Sequence, residues 1–351
     1  MYKNILYFGV YSHGNPRNAI IIKGLRSRGH TVIECRVRPG FLPFMYVRLL
    51  WHYLRMRPRF DRMIVGFPGA EVMLLAKMLT RKPIVFDAFS SAYLAYIIDR
   101  KYWKIGSLRS VWYRFIDRWS CRLADAVLLD TNAQINYFVR EFRVSRNKFF
   151  KVLIGTDTDI FKPSTSHRSP SVCRLHFHGT YIPLQGIEHI IDAASGILAL
   201  GIELEIVGDG KIKPAILARA HALGVADRIV FRGNLAYDAL AQSVANADIC
   251  LGIFGDSIKA QLVIPNKIYE YAAMKKPIIT LDTPAIRELF DEQSMVLLSD
   301  ARPETIISAV ARLKDNLKLC AELSERAYAI SMQNATPEII GRRVEEIINT
   351  V

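Results

Sequence analysis

The sequence predicts an α/β protein made of two successive doubly wound domains, each a parallel sheet flanked by helices. Three observations carry this reading. At 351 residues the chain exceeds the usual single-domain size, so two domains of about 150–190 residues are expected. Short apolar runs of strand length alternate with helical periodicity along the chain, the pattern of strand–helix–strand units. The alternation is interrupted at Lys162–Ser171 (KPSTSHRSPS), which is rich in Pro and Ser, lacks large apolar residues and reads as a linker.

Taken in order, the first half opens with a strand over Asn4–Val10 and a glycine-containing loop over Gly9–Pro16. A helix from about Arg17 to Arg28 follows, and past Gly29-His30 comes a second strand, Thr31–Cys35. Parallel pairing of such a unit puts the loops after the strand ends on the ligand face. Apolar runs at Arg62–Gly66, Pro83–Asp87, Ala126–Asp130 and Phe150–Ile154 fit further buried parallel strands. Beyond the linker, strands are expected at Arg174–His178, Glu203–Val207, Ile229–Phe231, Ala247–Ile253 and Pro277–Leu281. Helices are expected between them at Gly186–Ala199, Ile212–Leu223, Tyr237–Asn246 and Pro265–Met274. A last helix, Pro337–Ile348, ends the sequence and can pack back across the first domain. The expected limits are therefore 1–165, 172–335 and a terminal helical segment 336–351. No internal repeat or low-complexity tract is present.

Composition bounds the function classes. The apolar share of 51% and charged share of 23% are those of a soluble globular protein. No apolar run approaches the ~20 residues of a membrane-spanning helix. The apolar stretch Ile5–Tyr11 is too short for a signal-peptide core and runs into His13-Gly14-Asn15-Pro16-Arg17 rather than a small-residue cleavage site. A cytoplasmic location is expected. The five cysteines, Cys35, Cys121, Cys173, Cys250 and Cys320, show no C-x-x-C or metal-ligand spacing and read as reduced, structural thiols. The net charge of +14 is unevenly placed: residues 1–165 hold 28 Lys and Arg against 11 Asp and Glu, the remainder 19 against 22. That asymmetry points to an acidic partner for the first half, either nucleic acid or an anionic membrane surface.

The densest chemical signal lies at Asp248–Glu288. A buried strand leads into a long loop, Gly255–Ile264, and Pro265-Asn266 opens a helix, with proline at the first helical position where its missing N–H costs nothing. First-turn amides and the helix dipole make an anion site there, joined by Lys267. Glu270, three residues on, shares that face, and Ile268 can face the sheet. The helix start thus offers a cation and amides to a diphosphate, and a carboxylate able to accept from both hydroxyls of a ribose. The bland alternative is an exposed i,i+3 Lys–Glu pair. A second segment, HGTYIPLQG at 178–186, brings Gly179 and Thr180 to a strand-to-helix turn of the kind where phosphate docks, although the strict G-x-G-x-x-G pattern is absent. In the first domain, Arg17 and Asn18 at a helix start can bind an acceptor phosphate, with Ser12 and His13 in the loop before it. A solvated arginine and an incidental loop histidine are the alternatives.

These segments in this order, HGTYIPLQGIE, IVGDG, ADICLGIF and IPNKIYEYAAMKKPIITLDTPAIRE, resemble the donor half of a family 4-type bacterial glycosyltransferase of the GT-B fold. The first half is similar as well, through Gly9, Arg17-Asn18, Phe86-Asp87, Ala124-Asp125, Asp130-Thr131 and Gly155-Thr156-Asp157. The resemblance implies two facing Rossmann-like domains with a donor/acceptor cleft between them, and a nucleotide-diphospho-sugar as co-substrate held mainly by the second. It implies transfer with retention of anomeric configuration, and no cofactor and no obligatory metal. Glu270 maps to the motif glutamate that binds the donor ribose, and Asp87 to a polar position near the reacting sugar. Two departures stand out. The first glutamate of the E-x7-E motif is replaced by Leu262, and the basic pair that holds the diphosphate is replaced by Thr180, Tyr181 and Gln185. Lys267 and Lys259 are the expected substitutes.

The basicity of the first half concentrates in two segments. In Phe41–Arg62, Arg48, His52 and Arg55 share one helical face, Val47, Leu50, Trp51 and Leu54 lie largely away from it, and Pro58 ends or kinks the helix. Tyr93–Arg122 interleaves Arg100, Lys101, Lys104, Arg109, Arg114, Arg118 and Arg122 with Tyr96, Tyr102, Trp103, Trp112, Tyr113 and Trp119. Basic residues with interfacial aromatics suit a peripheral helix on anionic lipid. A solvated charged face over a core stripe is the alternative. The expectation is a retaining hexosyltransferase, peripheral on the inner face of the cell membrane, acting on a saccharide or lipid-linked acceptor in polysaccharide or glycolipid biosynthesis. A non-catalytic sugar-binding subunit, kept open by Leu262, and another GT-B enzyme such as a nucleotide-sugar epimerase are the other candidates. No nucleic-acid-binding motif supports that partner.

Overall fold

The computed structural model describes residues 3–12, 14–163 and 172–351. The chain divides into two compact units, Met1–Gly155 with Asn334–Val351, and Thr156–Gln333. The expected linker lies, apart from Lys162 and Pro163, outside the described residues.

The first unit holds a six-stranded sheet of β1 (Asn4–Val10), β2 (Thr31–Val37), β3 (Arg62–Val65), β4 (Ile84–Asp87), β5 (Ala126–Leu129) and β6 (Phe149–Lys151). The strands run parallel in the order β2-β1-β3-β4-β5-β6. Its helices are α1 (Pro16–Ser27), α2 (Leu42–Met56), α3 (Met73–Leu79), α4 (Leu108–Leu123) and α5 (Asn132–Phe142). The strand order changes direction between β1 and β3, so right-handed crossovers put α1 on one face and α2–α5 on the other. Every residue of β4 and β5 is buried, as their unbroken apolar runs require in a sheet covered on both sides. At α1, the Asn15 side chain accepts from the Asn18 amide and Pro16 takes the first helical position, so the helix begins one residue before Arg17.

The second unit repeats the plan with β7 (Cys173–His178), β8 (Ile202–Val207), β9 (Ile229–Arg232), β10 (Ile249–Leu251), β11 (Ile278–Leu281) and β12 (Val296–Leu298). They are parallel in the order β12-β11-β10-β7-β8-β9. Helices α6 (Ile187–Ala199), α7 (Lys213–Ala222), α8 (Tyr237–Ala245), α9 (Asn266–Ala273), α10 (Pro303–Lys314) and α11 (Leu317–Asn334) complete it. The direction changes between β7 and β10. The same handedness rule sends α6 and α7 to one face and α8 and α9 to the other. Ile187, Ile190, Ala194 and Ile197 of α6 are buried against Leu175, Phe177 and Leu204 of the sheet and Ile306, Val310 and Leu313 of α10. Each such aliphatic side chain contributes about 1.5–3 kcal/mol when fully buried.

The chain then returns to the first unit as α12 (Pro337–Thr350), whose Ile340, Val344, Ile347 and Ile348 join the core of Ile5, Tyr7, Ile20 and Ile21. Two glycines allow this packing. A side chain on Gly24 of α1 would collide with the carbonyl of Pro337, and one on Gly341 would collide with the Gly24 backbone.

Several boundaries differ from expectation for identifiable reasons. The helix opened by Phe41 stops at Met56 because Arg57, the residue before Pro58, turns left-handed (φ 42°) and caps it. Strand β10 is shorter than Ala247–Ile253, since only its middle pairs with β7 and β11. β12, α10 and α11 were not foreseen; their amphipathic pattern follows the last recognised motif. All five cysteines are free. No helix among the described residues is long and apolar enough to cross a membrane.

Candidate functional site

In open parallel sheets, ligands bind outside the strand carboxyl ends where the order reverses. In the second unit that point lies between β7 and β10, and the predicted donor residues gather there. The loops after the strands meet backbone to backbone. Gly208 (φ 135°) lies where a side chain would overlap the Gly179 carbonyl, and Gly186 (φ 63°) lies against Phe254 and Gly255 after β10. The Phe254 amide donates to the Gln185 carbonyl at 3.1 Å. Glycine is required at these close approaches and at the left-handed Gly186.

Helix α9 starts here, with one correction. Pro265 is the extended N-cap (φ −68°, ψ 150°) and Asn266 the first helical residue, so Lys267 is second. Proline is tolerated just outside the helix for the same reason as just inside it: neither amide has an intrahelical acceptor. Exposure rules out the bland alternative. Residues 267–273 are all buried, including Ile268, so Lys267 and Glu270 do not form an exposed pair.

Lys267 donates to Gln185 Oε1 at 2.7 Å and to the Gly252 carbonyl at 3.2 Å, and its Nζ sits 3.5 Å from the centre of the Phe177 ring. Every partner is neutral, and burial pushes the ammonium pKa well below its usual value. Gln185 stands where the resemblance leads one to expect a basic residue. It now serves to aim the lysine that replaces that charge. Gly179 makes room, since a side chain there would come within 3.1 Å of Lys267 Nζ.

Glu270 meets His178, with Oε2 at 2.7 Å from Nε2. His178 Nδ1 lies 3.0 Å from His176 Nε2, and His176 Nδ1 lies 2.9 Å from Glu205 Oε2. Glu205 also accepts from Arg232 Nε at 2.5 Å and from the Ser243 hydroxyl. Burial raises the Glu270 pKa to about 7, lowers His176 to about 4 and holds His178 well below its usual value. Burial works on Glu205 in the same direction as on Glu270, but hydrogen bonds from His176, Ser243 and Arg232 bring it down to about 2.

Of the remaining predicted donor residues, Thr180 is exposed on the turn after β7, and Lys259 is buried in the turn at residues 257–262. Leu262, in place of the motif glutamate, packs against the apolar cluster of Ile182, Leu184, Ile253, Ala260 and Val263. Sequence reasoning missed His176, His178 and Glu205. His176 and His178 alternate on one strand face, but only the register that sets His176 opposite Glu205 brings the carboxylate to them. Among the described residues no group of three His, Cys, Asp or Glu side chains is arranged to hold a metal ion.

The first unit corrects two expectations. Arg17 is not a phosphate ligand at a helix start. It is buried, its Nε and Nη2 bond the Asp87 carboxylate at 2.9–3.1 Å, and its Nη1 bonds the Val152 and Leu153 carbonyls at 2.8 and 2.7 Å. Four of its five N–H donors are thereby used. Asp87, fully buried against it, accepts from Arg17 on both carboxylate oxygens. Asn18 is also structural: its Oδ1 accepts from Tyr7 Oη and the Phe67 amide, and its Nδ2 donates to the Phe67 carbonyl. Ser12 is exposed in the loop after β1, and His13 lies outside the described residues.

The same unit carries an apolar and basic surface. On α2, Phe44, Val47, Trp51 and Leu54 are exposed at helical spacing beside Arg48 and Arg55, while Met45 and Leu49 face the core. On α4, Leu108, Trp112, Phe115 and Trp119 form an exposed ridge among Arg109, Arg114 and Arg122. Leu74 and Met78 of α3 are exposed between them. α3 is tied to α2 through Tyr53 Oη and the Leu79 carbonyl at 3.2 Å, and it packs on α4. The apolar stripe of α2 is therefore not the core stripe of an ordinary surface helix.

Comparison with known proteins agrees with this architecture. Residues 173–316 match the family model described as glycosyl transferases group 1. No curated protein sequence matches significantly. Among solved structures, HepE of Anabaena in complex with UDP-glucose superposes with a TM-score of 0.75 at 15% identity, over 100% of both chains. Sucrose-phosphate synthase from Thermosynechococcus elongatus gives 0.78 at 12% identity, over 99% of this chain and 98% of that one. A glycosyltransferase from Rickettsia africae gives 0.70 at 14% identity, over 99% and 98%. The chain thus has the GT-B fold of such enzymes, and its second unit is similar in sequence to glycosyl transferases group 1.

Proposed function

We propose that this protein is a glycosyltransferase that takes its sugar from a nucleotide-diphospho-sugar held by the second unit. The observation that carries the proposal is Lys267: a buried ammonium at a helix start, bonded only to neutral oxygens and an aromatic face, one turn from a carboxylate. A diphosphate supplies the missing counter-charge, and Glu270 takes the ribose hydroxyls. The complexes of HepE with UDP and UDP-glucose make a uridine donor the first to test. Transfer proceeds with retention, without a metal ion, because Lys267 and the α9 amides carry the charge compensation a metal would supply. The acceptor is a saccharide or lipid-linked saccharide. The exposed aromatic and arginine ridges of α2 and α4 bind the anionic inner face of the membrane where such an acceptor resides.

Incubating the protein with UDP-, ADP- and GDP-sugars and lipid-linked acceptors, and reading product configuration by NMR, tests the reaction. An inverted product, or none with any donor, removes it. A second reading, a nucleotide-sugar-binding subunit without activity, is favoured by Leu262, which puts an apolar cluster where a carboxylate would hold the sugar. Donor binding without transfer would select it.

A further inference from the structure

The chain Glu270–His178–His176–Glu205 comprises three hydrogen bonds in series, at 2.7, 3.0 and 2.9 Å. Each needs one proton. Two neutral imidazoles bring two, and a carboxylate brings none. With both histidines neutral, the third proton must sit on a carboxyl at one end.

The two ends are unlike. Glu205 is held by the Arg232 guanidinium and the Ser243 hydroxyl, both donors, and it opens on a cavity of about 320 Å³ whose lining includes Arg174, Glu203 and Gln242. That environment favours its carboxylate. Glu270 is buried, no described residue donates to its Oε1, and its one bonded partner is His178. With Glu205 ionised, His176 must carry its proton on Nδ1 and accept at Nε2. His178 must then carry its proton on Nδ1 and accept at Nε2. Glu270 is left as the only donor to His178.

We propose that Glu205, His176 and His178 are positioning residues that hold Glu270 as the neutral acid in the empty site, and that a nucleotide presenting vicinal hydroxyls displaces this proton along the chain. This rests on the reading of Glu270 as the ribose ligand. An acid already donating to His178 cannot accept from two hydroxyls as a carboxylate does, so binding requires its ionisation. The proton balance is complete. The Glu270 O–H bond breaks as His178 Nε2–H forms, and His178 Nδ1–H breaks as His176 Nε2–H forms. His176 Nδ1–H then breaks as Glu205 O–H forms, and Glu205 releases the proton to water in the cavity. The elevated Glu270 pKa and the depressed Glu205 pKa agree with this direction.

Other groups face the chain. Lys267 shares α9 with Glu270, Tyr271 Oη accepts from the His178 amide at 3.2 Å, and Tyr237 of α8 lies within electrostatic range of Glu270. Lys267 is already an ammonium, and a bound anion can only raise its proton affinity, so it releases no proton. The tyrosine pKa values are raised, which keeps them neutral through the range used.

The test is calorimetric titration with UDP-glucose, whose diphosphate diester does not titrate between pH 5 and 8, with ADP-glucose and GDP-mannose as substitutes. Runs in buffers of different ionisation enthalpy count protons. Wild type should release close to one proton at pH 5.5, with affinity rising up to tenfold per pH unit below about 7. Glu205→Gln, at a partly buried position outside the nucleotide contacts, should lose most of that release and flatten the profile, because either histidine tautomer is then allowed. His176→Phe should do the same. Equal proton counts and slopes in wild type and Glu205→Gln would overturn the proposal while leaving the donor site standing. Failure of wild type to bind any of the three donors would overturn the functional reading itself, and the proposal with it.

Discussion

Each unit buries charged side chains near the carboxyl ends of its central strands, and the two sets are satisfied in opposite ways. In the first, Arg17 and Asp87 neutralise each other through short bonds and carbonyls take up the remaining donors, so nothing is left for a ligand. In the second, Lys267 bonds only neutral groups, and Glu270 bonds an imidazole instead of a cation. A buried ion matched by an opposite ion is part of the scaffold. One held by neutral groups keeps most of its field available to a ligand. The comparison separates residues that the sequence presents alike, since both sets lie at helix starts after strands.

The largest expected effect breaks the first set. Arg17→Met leaves Asp87 unpaired at zero exposure, and should cost about 3–5 kcal/mol in the unfolding of the first unit, read by denaturant titration. Adding Asp87→Leu should recover most of it. If Arg17→Met left stability unchanged and only weakened acceptor use, the pair would belong to the site after all.

The second set should respond in the reverse sense. Lys267→Met removes a desolvated charge that is hydrogen-bonded to no counter-ion, so the second unit should keep or gain stability. Donor affinity should fall by about 1.5–3 kcal/mol, or roughly 10- to 150-fold, the range for a hydrogen bond to a charged group. Thermal unfolding and UDP-glucose titration on one preparation read both. A collapse in stability with affinity intact would make Lys267 scaffold.

How much of this contrast was legible in the sequence depends on how local it is. Strands β1, β3, β4 and β5 and the α9 motif are written in contiguous apolar runs and a proline-led helix start, so they appear within a residue or two. Lys267 and Glu270 were visible for the same reason. The pairing of Arg17 with Asp87 spans 70 residues, and no spacing rule brings them together. His176 meets Glu205 only through the β7–β8 register. Burial of all faces of α9 was equally hidden, because a short helix with Lys, Glu and two Tyr reads as half exposed until the sheet and loops enclose it.

A pH experiment sharpens the second set. The Glu270 pKa is raised from 4.5 to about 7, so between those values the folded state binds more protons than the unfolded one. Stability contributed by this group is present at low pH and lost as pH rises through about 7, on the order of 3 kcal/mol in all. The depressed His176 and His178 work with opposite sign at lower pH, but they are common to wild type and Glu270→Gln. The difference between the two unfolding free energies should therefore fall across pH 4.5–7. A flat difference would remove the buried-acid assignment.

The smallest effects are expected at the surface of the first unit, where charges are solvated and each contributes little alone. Arg48→Glu and Arg55→Glu reverse two charges on the exposed face of α2, and each basic residue near an anionic bilayer is worth about 1 kcal/mol. Flotation with vesicles containing phosphatidylglycerol should lose about one order of magnitude in binding per reversed charge. Trp51→Ser and Trp112→Ser should weaken binding by a salt-independent amount, because they remove buried apolar area in place of charge. Neither pair should shift the unfolding midpoint, since both tryptophans are 43–54% exposed and the arginines are exposed too. That separates this face from Arg17 in the same unit: an arginine that lowers stability when changed is scaffold, and one that lowers only vesicle binding is interface. If reversal of Arg48 and Arg55 left vesicle binding unchanged at low salt, the ridge would be a solvated face, and the acceptor would have to reach the protein without a membrane.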